Sequence, residues 1–258
     1  MIGADLKSSI LDMLNCIKEE GIIPSIMRES IVTTIPKPGS KFELKNERGI
    51  FKLSILRSIL MRLIYNRKYS MIDYNMSDSN IGAPKNKSCR NHIWIINGIN
   101  HEQNSSKKKS KLVFQSYDFT QMFDSMSLDI TISDIYDCGV KDDLLVLLYE
   151  ANKNIQMSVS TCYGLTEAVV IPALVAQGDL FAPLLAAVQV DSMTRKLEEQ
   201  DRARVEEGQS GLLFRYKGII PIPSLGLMDD TLSVSEAGVN AEEINTFMNE
   251  NSAEKHLQ

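Results

Sequence analysis

Ser224-Leu225-Gly226-Leu227-Met228-Asp229-Asp230-Thr231-Leu232-Ser233-Val234-Ser235 is the stretch on which the reading of this chain turns. Two adjacent carboxylates stand between two short apolar runs. Leu225, Leu227 and Met228 precede them; Leu232 and Val234 follow, alternating with Thr231, Ser233 and Ser235. The pattern predicts strand, tight turn, strand, with Asp229 and Asp230 at the bend. Side chains alternate between faces along a regular strand. At a turn the alternation breaks, so both carboxylates can serve one site. Taken alone, an Asp-Asp pair is more simply a hairpin turn, because Asp favours turns. A third carboxylate supplied from elsewhere would decide between the two readings.

The chain has 258 residues, 43% of them hydrophobic, enough for one large domain or two subdomains. Its net charge of −5 argues against a protein held on nucleic acid by bulk charge, while leaving room for a local basic groove. Cys16, Cys89, Cys138 and Cys162 are far apart, and with His92, His101 and His256 they show no zinc spacing. Scattered thiols suggest a reducing compartment. No basic segment followed by an apolar core marks the N-terminus, and no run approaches a membrane span. The expectation is a soluble, intracellular chain without a membrane partner, cytoplasmic and/or nuclear.

Residues 5–20 carry Leu6, Ile10, Met13, Leu14 and Ile17 at helical spacing, with Gly21 as the stop. Ile31–Ile35 predicts a strand ended by Pro36-Lys37-Pro38-Gly39, and a short extended piece is expected at Ile50–Leu53. Helices are expected over Ile55–Met76, with Arg57, Arg62, Arg67 and Lys68, and over Asn91–Ile99. The run from Ser105 through Lys107-Lys108-Lys109 to Ser110 reads as a solvated loop. Leu112–Tyr117 predicts a strand leading to Asp118, followed by helices over Leu128–Asp137 and Asp142–Asn152. Gln156–Cys162 and Thr166–Ile171 pair as a hairpin around Tyr163-Gly164. Gly178 opens a helix reaching about Gln200, and the charged stretch Glu198–Gln209 is expected to be exposed. Leu212–Lys217 and Pro221–Met228 read as strands, and Ala241–Asn249 as a closing helix. Strands and helices mix without regular βαβ alternation, so the class is α+β.

Asp118 lies in Tyr117-Asp118-Phe119-Thr120-Gln121-Met122-Phe123-Asp124. A carboxylate at a strand end can face one from another strand. Three converging acidic groups repel unless cations are bound. Magnesium suits them, because it takes oxygen ligands and keeps positions for water and phosphates. The plainer reading of Asp118 alone is a solvated strand end or a helix cap. Asp124, ahead of a helical stretch, fits the cap role better than a metal role.

Several stretches together resemble the reverse transcriptases of non-LTR (LINE-type) retrotransposons. Tyr117-Asp118-Phe119-x-x-Met122-Phe123-Asp124 is similar to their first palm motif. Ala176-Gln177-Gly178-Asp179-Leu180-Phe181-Ala182-Pro183 resembles the Gln-Gly-x-x-x-x-Pro block, and Leu227-Met228-Asp229-Asp230 the aromatic-x-Asp-Asp block. Ile35-Pro36-Lys37-Pro38-Gly39 and Asn46-Glu47-Arg48-Gly49-Ile50 resemble the fingers motifs. Ile81-Gly82-Ala83-Pro84 through Ser88-Cys89-Arg90 resembles the block before the palm. The blocks stand in the family's order over roughly residues 20–250.

The resemblance implies a right-hand polymerase: a palm of antiparallel sheet backed by helices, with a fingers subdomain. One reverse transcriptase domain over 1–258 would divide into fingers at about 1–111 and palm at about 112–258. It implies RNA-directed DNA polymerase activity, adding dNTPs to a DNA primer 3′-hydroxyl on an RNA template. Asp118, Asp229 and Asp230 would be the catalytic carboxylates. With the backbone carbonyl of Phe119 they would hold two Mg2+ ions, for which Mn2+ can substitute. Lys37, Arg48, Phe123, Gln177 and Gly178 would bind the nucleotide, Phe123 as the gate against a ribose 2′-hydroxyl. Read without the resemblance, Lys37 and Arg48 are solvated charges, Phe123 a core aromatic, and Gly178 a strand-to-helix turn.

The sequence departs from the family pattern in three places. Leu227 stands where Phe or Tyr is usual, Met228 where Ala is common, and Gly49 where the family has Pro. Only residues 231–258 follow Asp230, which leaves no room for the helical thumb. The expectation is a fragment or truncated copy, with the thumb or flanking domains of a longer polyprotein missing. The alternative reading is a catalytically impaired, nucleic-acid-binding remnant of a retrotransposon polymerase. A related template-directed polymerase, such as an intron maturase or an RNA-dependent RNA polymerase, is a third.

Overall fold

The computed structural model describes residues 4–40, 43, 46–83, 85–105, 111–119, 122–227, 230–236 and 239–254. The chain runs α1 (Ala4–Glu20), β1 (Glu29–Pro36), β2 (Glu47–Leu53), α2 (Ile55–Asn75), α3 (Cys89–Ser105), β3 (Leu112–Asp118), α4 (Met122–Ser125), α5 (Leu128–Asp137) and α6 (Asp143–Ala151). It continues with β4 (Lys153–Thr161), β5 (Gly164–Leu165), β6 (Val169–Ala173), α7 (Ala182–Glu206), β7 (Arg215–Tyr216), β8 (Ile220–Pro221), β9 (Leu225–Leu227), β10 (Asp230–Glu236) and α8 (Val239–Glu254). The class is α+β, as the mixed pattern predicts. Two compact units form, each from two chain segments: residues 1–72 with 127–182, and 73–126 with 183–258.

The first unit is built on a five-stranded sheet of order β2-β1-β4-β5, with β6 also on β4. β1 and β2 run antiparallel, from Ser30 opposite Leu53 to Pro36 opposite Glu47. β1 and β4 run parallel, Ile31 opposite Ser158. Val32, Phe51 and Ala176 form a small core on this sheet, with Leu53, Met157, Val159 and Leu174 against it. α1 buries Leu14 and Ile17 but leaves Leu6 exposed, so only the C-terminal half of its apolar stripe is covered. It stops at Gly21, whose φ of +70° is a left-handed conformation that glycine adopts without steric cost. α5 is capped by Ser127, whose side chain accepts from the Ile130 amide. The cap expected at Asp124 is therefore not the one that starts α5: residue 124 lies inside the short helix α4.

The second unit holds a three-stranded antiparallel sheet of order β3-β10-β9 and the hairpin β7–β8. One face of β3 and β10 packs Leu112 and Val234 against Ile95 and Ile99 of α3, with Phe214, Tyr216 and Ile222. α8 packs on β10 and β3, and Gln115 Nε2 donates to the Ala241 carbonyl of α8. Two expectations shift here. The strand expected over Leu212–Lys217 shrinks to β7, because Leu212 and Phe214 are drawn into the core and the Phe214 amide donates to the Val234 carbonyl. The exposed face expected for 198–209 is broken by Asp201, which is buried, accepts from the Leu213 amide at 2.9 Å and pairs with Arg215. No helix among the described residues is long and apolar enough to cross a membrane. The run 106–110 lies outside the described residues.

Candidate active site

β10 is the central strand of its sheet, and its first residue is Asp230. On one side Asp230 pairs in register with Asp118, the last residue of β3. On the other it pairs with Leu227, the last residue of β9, so only residues 228 and 229 separate β9 from β10. Met228 and Asp229 lie outside the described residues. Directly opposed residues of an antiparallel pair share one face, with Cβ atoms about 4.5–5.5 Å apart. Asp118 and Asp230 are both exposed, so two carboxylates meet at a solvent-facing sheet end. Like charges so placed disfavour each other unless something neutralises them. Hard cations with oxygen ligands fit that donor set. Among the described residues no group of three or more His, Cys, Asp or Glu forms a metal cluster; the third expected carboxylate is Asp229.

The opposite face of β10 carries Thr231, Ser233 and Ser235, all buried. The hydroxyls of Thr231 and Ser235 find no hydrogen-bond partner among the described residues. On the neighbouring strand Tyr117 is half-buried; burial pushes its phenol above the ordinary range, and the Ser233 hydroxyl acts the other way. Phe119, next to Asp118, is buried, and Phe123 on α4 is half-buried.

The loop at residues 77–82 braces β9, a contact that nothing in the sequence pattern announces. The Ile81 amide donates to the Gly226 carbonyl at 2.9 Å, and the Gly226 amide donates to the Ser79 carbonyl at 3.2 Å. Asn80, 1% exposed, donates from Nδ2 to the Ala187 carbonyl of α7 at 2.7 Å and accepts from the Gly82 amide. Asp191 of α7, also buried, accepts from the Ser77 amide at 2.9 Å and from Arg195 at 2.8 Å. Burial pushes the Asp191 carboxyl up, while Arg195, the Ser77 amide and Lys87 oppose the shift. A histidine ring nitrogen of His92, Nε2, lies 2.8 Å from the Ser79 carbonyl, and burial lowers its pKa. The expected Ile81-Gly82-Ala83-Pro84 block thus begins as the strap on β9; Pro84 lies outside the described residues.

In the first unit, four of the expected nucleotide-binding residues gather around β2. Arg48 is exposed on β2, opposite Ile35. Lys37 follows directly on β1, its amide donating to the Asn46 carbonyl at 2.6 Å. Lys37 stands two residues beyond Ile35, the partner of Arg48, so strand alternation assigns both cations to one face. The Gln177 carbonyl accepts from the Phe51 amide of β2 at 3.0 Å. Phe51 lies three residues beyond Arg48 on β2, about 10 Å along the strand. Gly178 does not open a helix, contrary to expectation. It bends at φ +114°, and α7 begins only at Ala182, with Pro183 in its first turn.

The α+β arrangement of sheets and helices is a fold of the reverse-transcriptase-like, palm-and-fingers kind. Solved structures with this fold include the apo telomerase of Candida tropicalis truncated from its C-terminal domain. It matches with a TM-score of 0.62 and 11% identity, over 96% of this chain and 53% of that one. The apo telomerase of Candida tropicalis matches with a TM-score of 0.62 and 11% identity over 96% of this chain and 47% of that one. The telomerase of Candida albicans, in complex with a fragment of telomeric RNA, matches with a TM-score of 0.61 and 10% identity, over 95% and 43% of the two chains. At such identities the likeness is one of fold. The chain spans about half the length of these structures. No protein-family model matches the chain.

Proposed function

We propose that this chain is the core of an RNA-directed DNA polymerase, adding dNTPs to the 3′-hydroxyl of a DNA primer on an RNA template. The observation that carries the reading is the pairing of Asp118 with Asp230 at the exposed end of the sheet, one residue from Asp229. Asp118, Asp229 and Asp230, with the Phe119 carbonyl, would hold two Mg2+ ions. Bound there, the ions supply charge neutralisation for the attacking hydroxyl and the departing pyrophosphate. The chain's own part is positioning, since phosphoryl transfer asks little covalent chemistry of the protein. Lys37 and Arg48 would draw the triphosphate by charge-assisted contacts, to which the planar fork of Arg is well suited. Gln177 and Gly178 would line the nucleotide and template, and Phe123 would exclude a 2′-hydroxyl. The reading extends to fingers at about 1–111 and palm at about 112–258, to an origin in a non-LTR retrotransposon and to an intracellular location. The RNA bound in the Candida albicans telomerase supports RNA as a partner.

The test is extension of a primer on an RNA template by the purified chain with Mg2+. Asp229→Ala removes extension; an alanine variant as fast as the parent sinks the assignment. Phe123→Ala relaxes discrimination against ribonucleotides, read as the ratio of rNTP to dNTP incorporation. An unchanged ratio removes the gate role from Phe123. Leu227, half-buried at the end of β9 where the family has an aromatic ring, favours a second reading: a remnant that binds primer–template but does not extend it. Binding without extension, in Mg2+ and in Mn2+, selects that reading.

A further inference from the structure

Arg57 sits in the first turns of α2 and is 0% exposed. A buried guanidinium persists only where its donors are taken up. Here Nε and Nη2 both donate to Asp179 Oδ2, at 3.0 and 2.7 Å. Nη2 also reaches Asn152 Oδ1 at 3.0 Å, and Nη1 donates to the Ala151 carbonyl. Ala151 ends α6 and Asn152 is its C-cap, so the guanidinium ties the end of α6 to the segment holding Asp179. Asp179 is the residue directly after Gln177-Gly178. Its Oδ1 accepts from the Phe181 amide at 3.0 Å, and its own amide donates to the Ala176 carbonyl at 3.0 Å.

The same turn is held from its other side by β2. The Phe51 amide donates to the Gln177 carbonyl at 3.0 Å, and a Cβ added at Gly178 would lie 2.8 Å from the Phe51 carbonyl oxygen. Among the described residues no sheet ladder takes in residues 174–181. Arg57 on one flank and the Phe51 backbone on the other hold them instead. Asp179 is buried between them, Gln177 is half-buried and Gly178 is exposed, so the bend presents these last two outward. Apolar residues of the same volume can stabilise a core as well as a buried ion pair does. A rigid fork with several acceptors adds fixed direction.

We propose that Arg57 is a positioning residue. Through Asp179 it sets the Gln177-Gly178 bend against β2, and thereby the binding of the incoming nucleotide. The inference rests on the polymerase reading. The test compares Arg57→Lys, Gly178→Ala and Met27→Ala in the full chain, by primer extension and by amide hydrogen exchange. Lysine keeps a charge for Asp179 but cannot also reach Ala151 and Asn152 with the guanidinium's fork. Gly178→Ala disturbs the bend from the β2 side while leaving Arg57 in place. Met27→Ala truncates a fully buried side chain of the same unit outside residues 51, 57 and 174–181, and serves as a control that lowers stability. Arg57→Lys and Gly178→Ala should each raise the apparent KM for dNTP about tenfold, the effect of losing about 1.4 kcal/mol of binding. Both should speed exchange at the Phe51 and Phe181 amides, and Met27→Ala should do neither. If Arg57→Lys lowers the melting temperature as Met27→Ala does, with KM and local exchange unchanged, the residue is structural and the inference is overturned. If the parent chain extends no primer, the polymerase reading fails and takes the nucleotide role with it. The exchange arm then still decides, separately, whether Arg57 holds the bend.

Discussion

Glu198 on α7 keeps one carboxyl oxygen, Oε1, buried and without a hydrogen-bond partner among the described residues. Burial pushes its pKa up, and repulsion from Asp191 and Asp201 adds to the shift; Arg195 and Arg202 oppose it. The folded chain therefore holds this proton to a higher pH than the unfolded chain does. Its contribution to stability is complete below the ordinary glutamate range and is lost as pH rises through the folded value. Asp191, raised by its own burial, acts in the same direction. Glu198→Gln should flatten the fall in melting temperature across a pH series running upward from the ordinary glutamate range. Parallel curves for parent and variant would reject this account. Nothing in the local sequence separates Glu198 from Glu199, its exposed neighbour, because burial is imposed by what packs on the helix.

Among the elements, the strand β9 is short and is braced from outside its sheet by the loop 77–82. Asn80 is the joint, bonded to the Ala187 carbonyl and to the Gly82 amide. Asn80→Ala would strand a buried carbonyl and an amide, a loss of about 1–3 kcal/mol. It should lower the melting temperature and speed exchange at the Ile81 and Gly226 amides. Unaltered exchange there would mean that the strap holds without Asn80. Helices with long apolar periodicity were readable in advance: α1, α2 and α5 fall where their spacing places them. The start of α7 was not. Gly178 reads as a helix opener, yet its positive φ and the bonds of Asp179 make it the bend before the helix. Likewise Leu212–Phe214 has a strand's composition, but the core takes those residues before a ladder can form.

Across the whole molecule, each compact unit draws on both halves of the chain. β1, from the first segment, pairs with β4, from residues beyond 127, and Arg57 depends on Asn152 and Asp179. A fragment of residues 1–126 would leave a β1 edge unpaired and a buried cation without its acceptors. Breaking a buried pair by removing one partner costs about 3–5 kcal/mol, a large part of a domain's stability. The fragment should show neither a cooperative melt nor dispersed amide resonances; a cooperative transition would show that residues 1–126 suffice. The sequence by itself determined the α+β class, the order of the motif blocks and the positions of most helices. Those depend on local periodicity and on the chemistry of turns, which short windows encode. Only the tertiary structure decided that Asp118 faces Asp230, that Asn80 straps β9, and that Arg57 is buried while Arg48 is exposed. Register and burial are set by partners far along the chain. An arginine in a helix looks the same in sequence whether water or a carboxylate receives its donors.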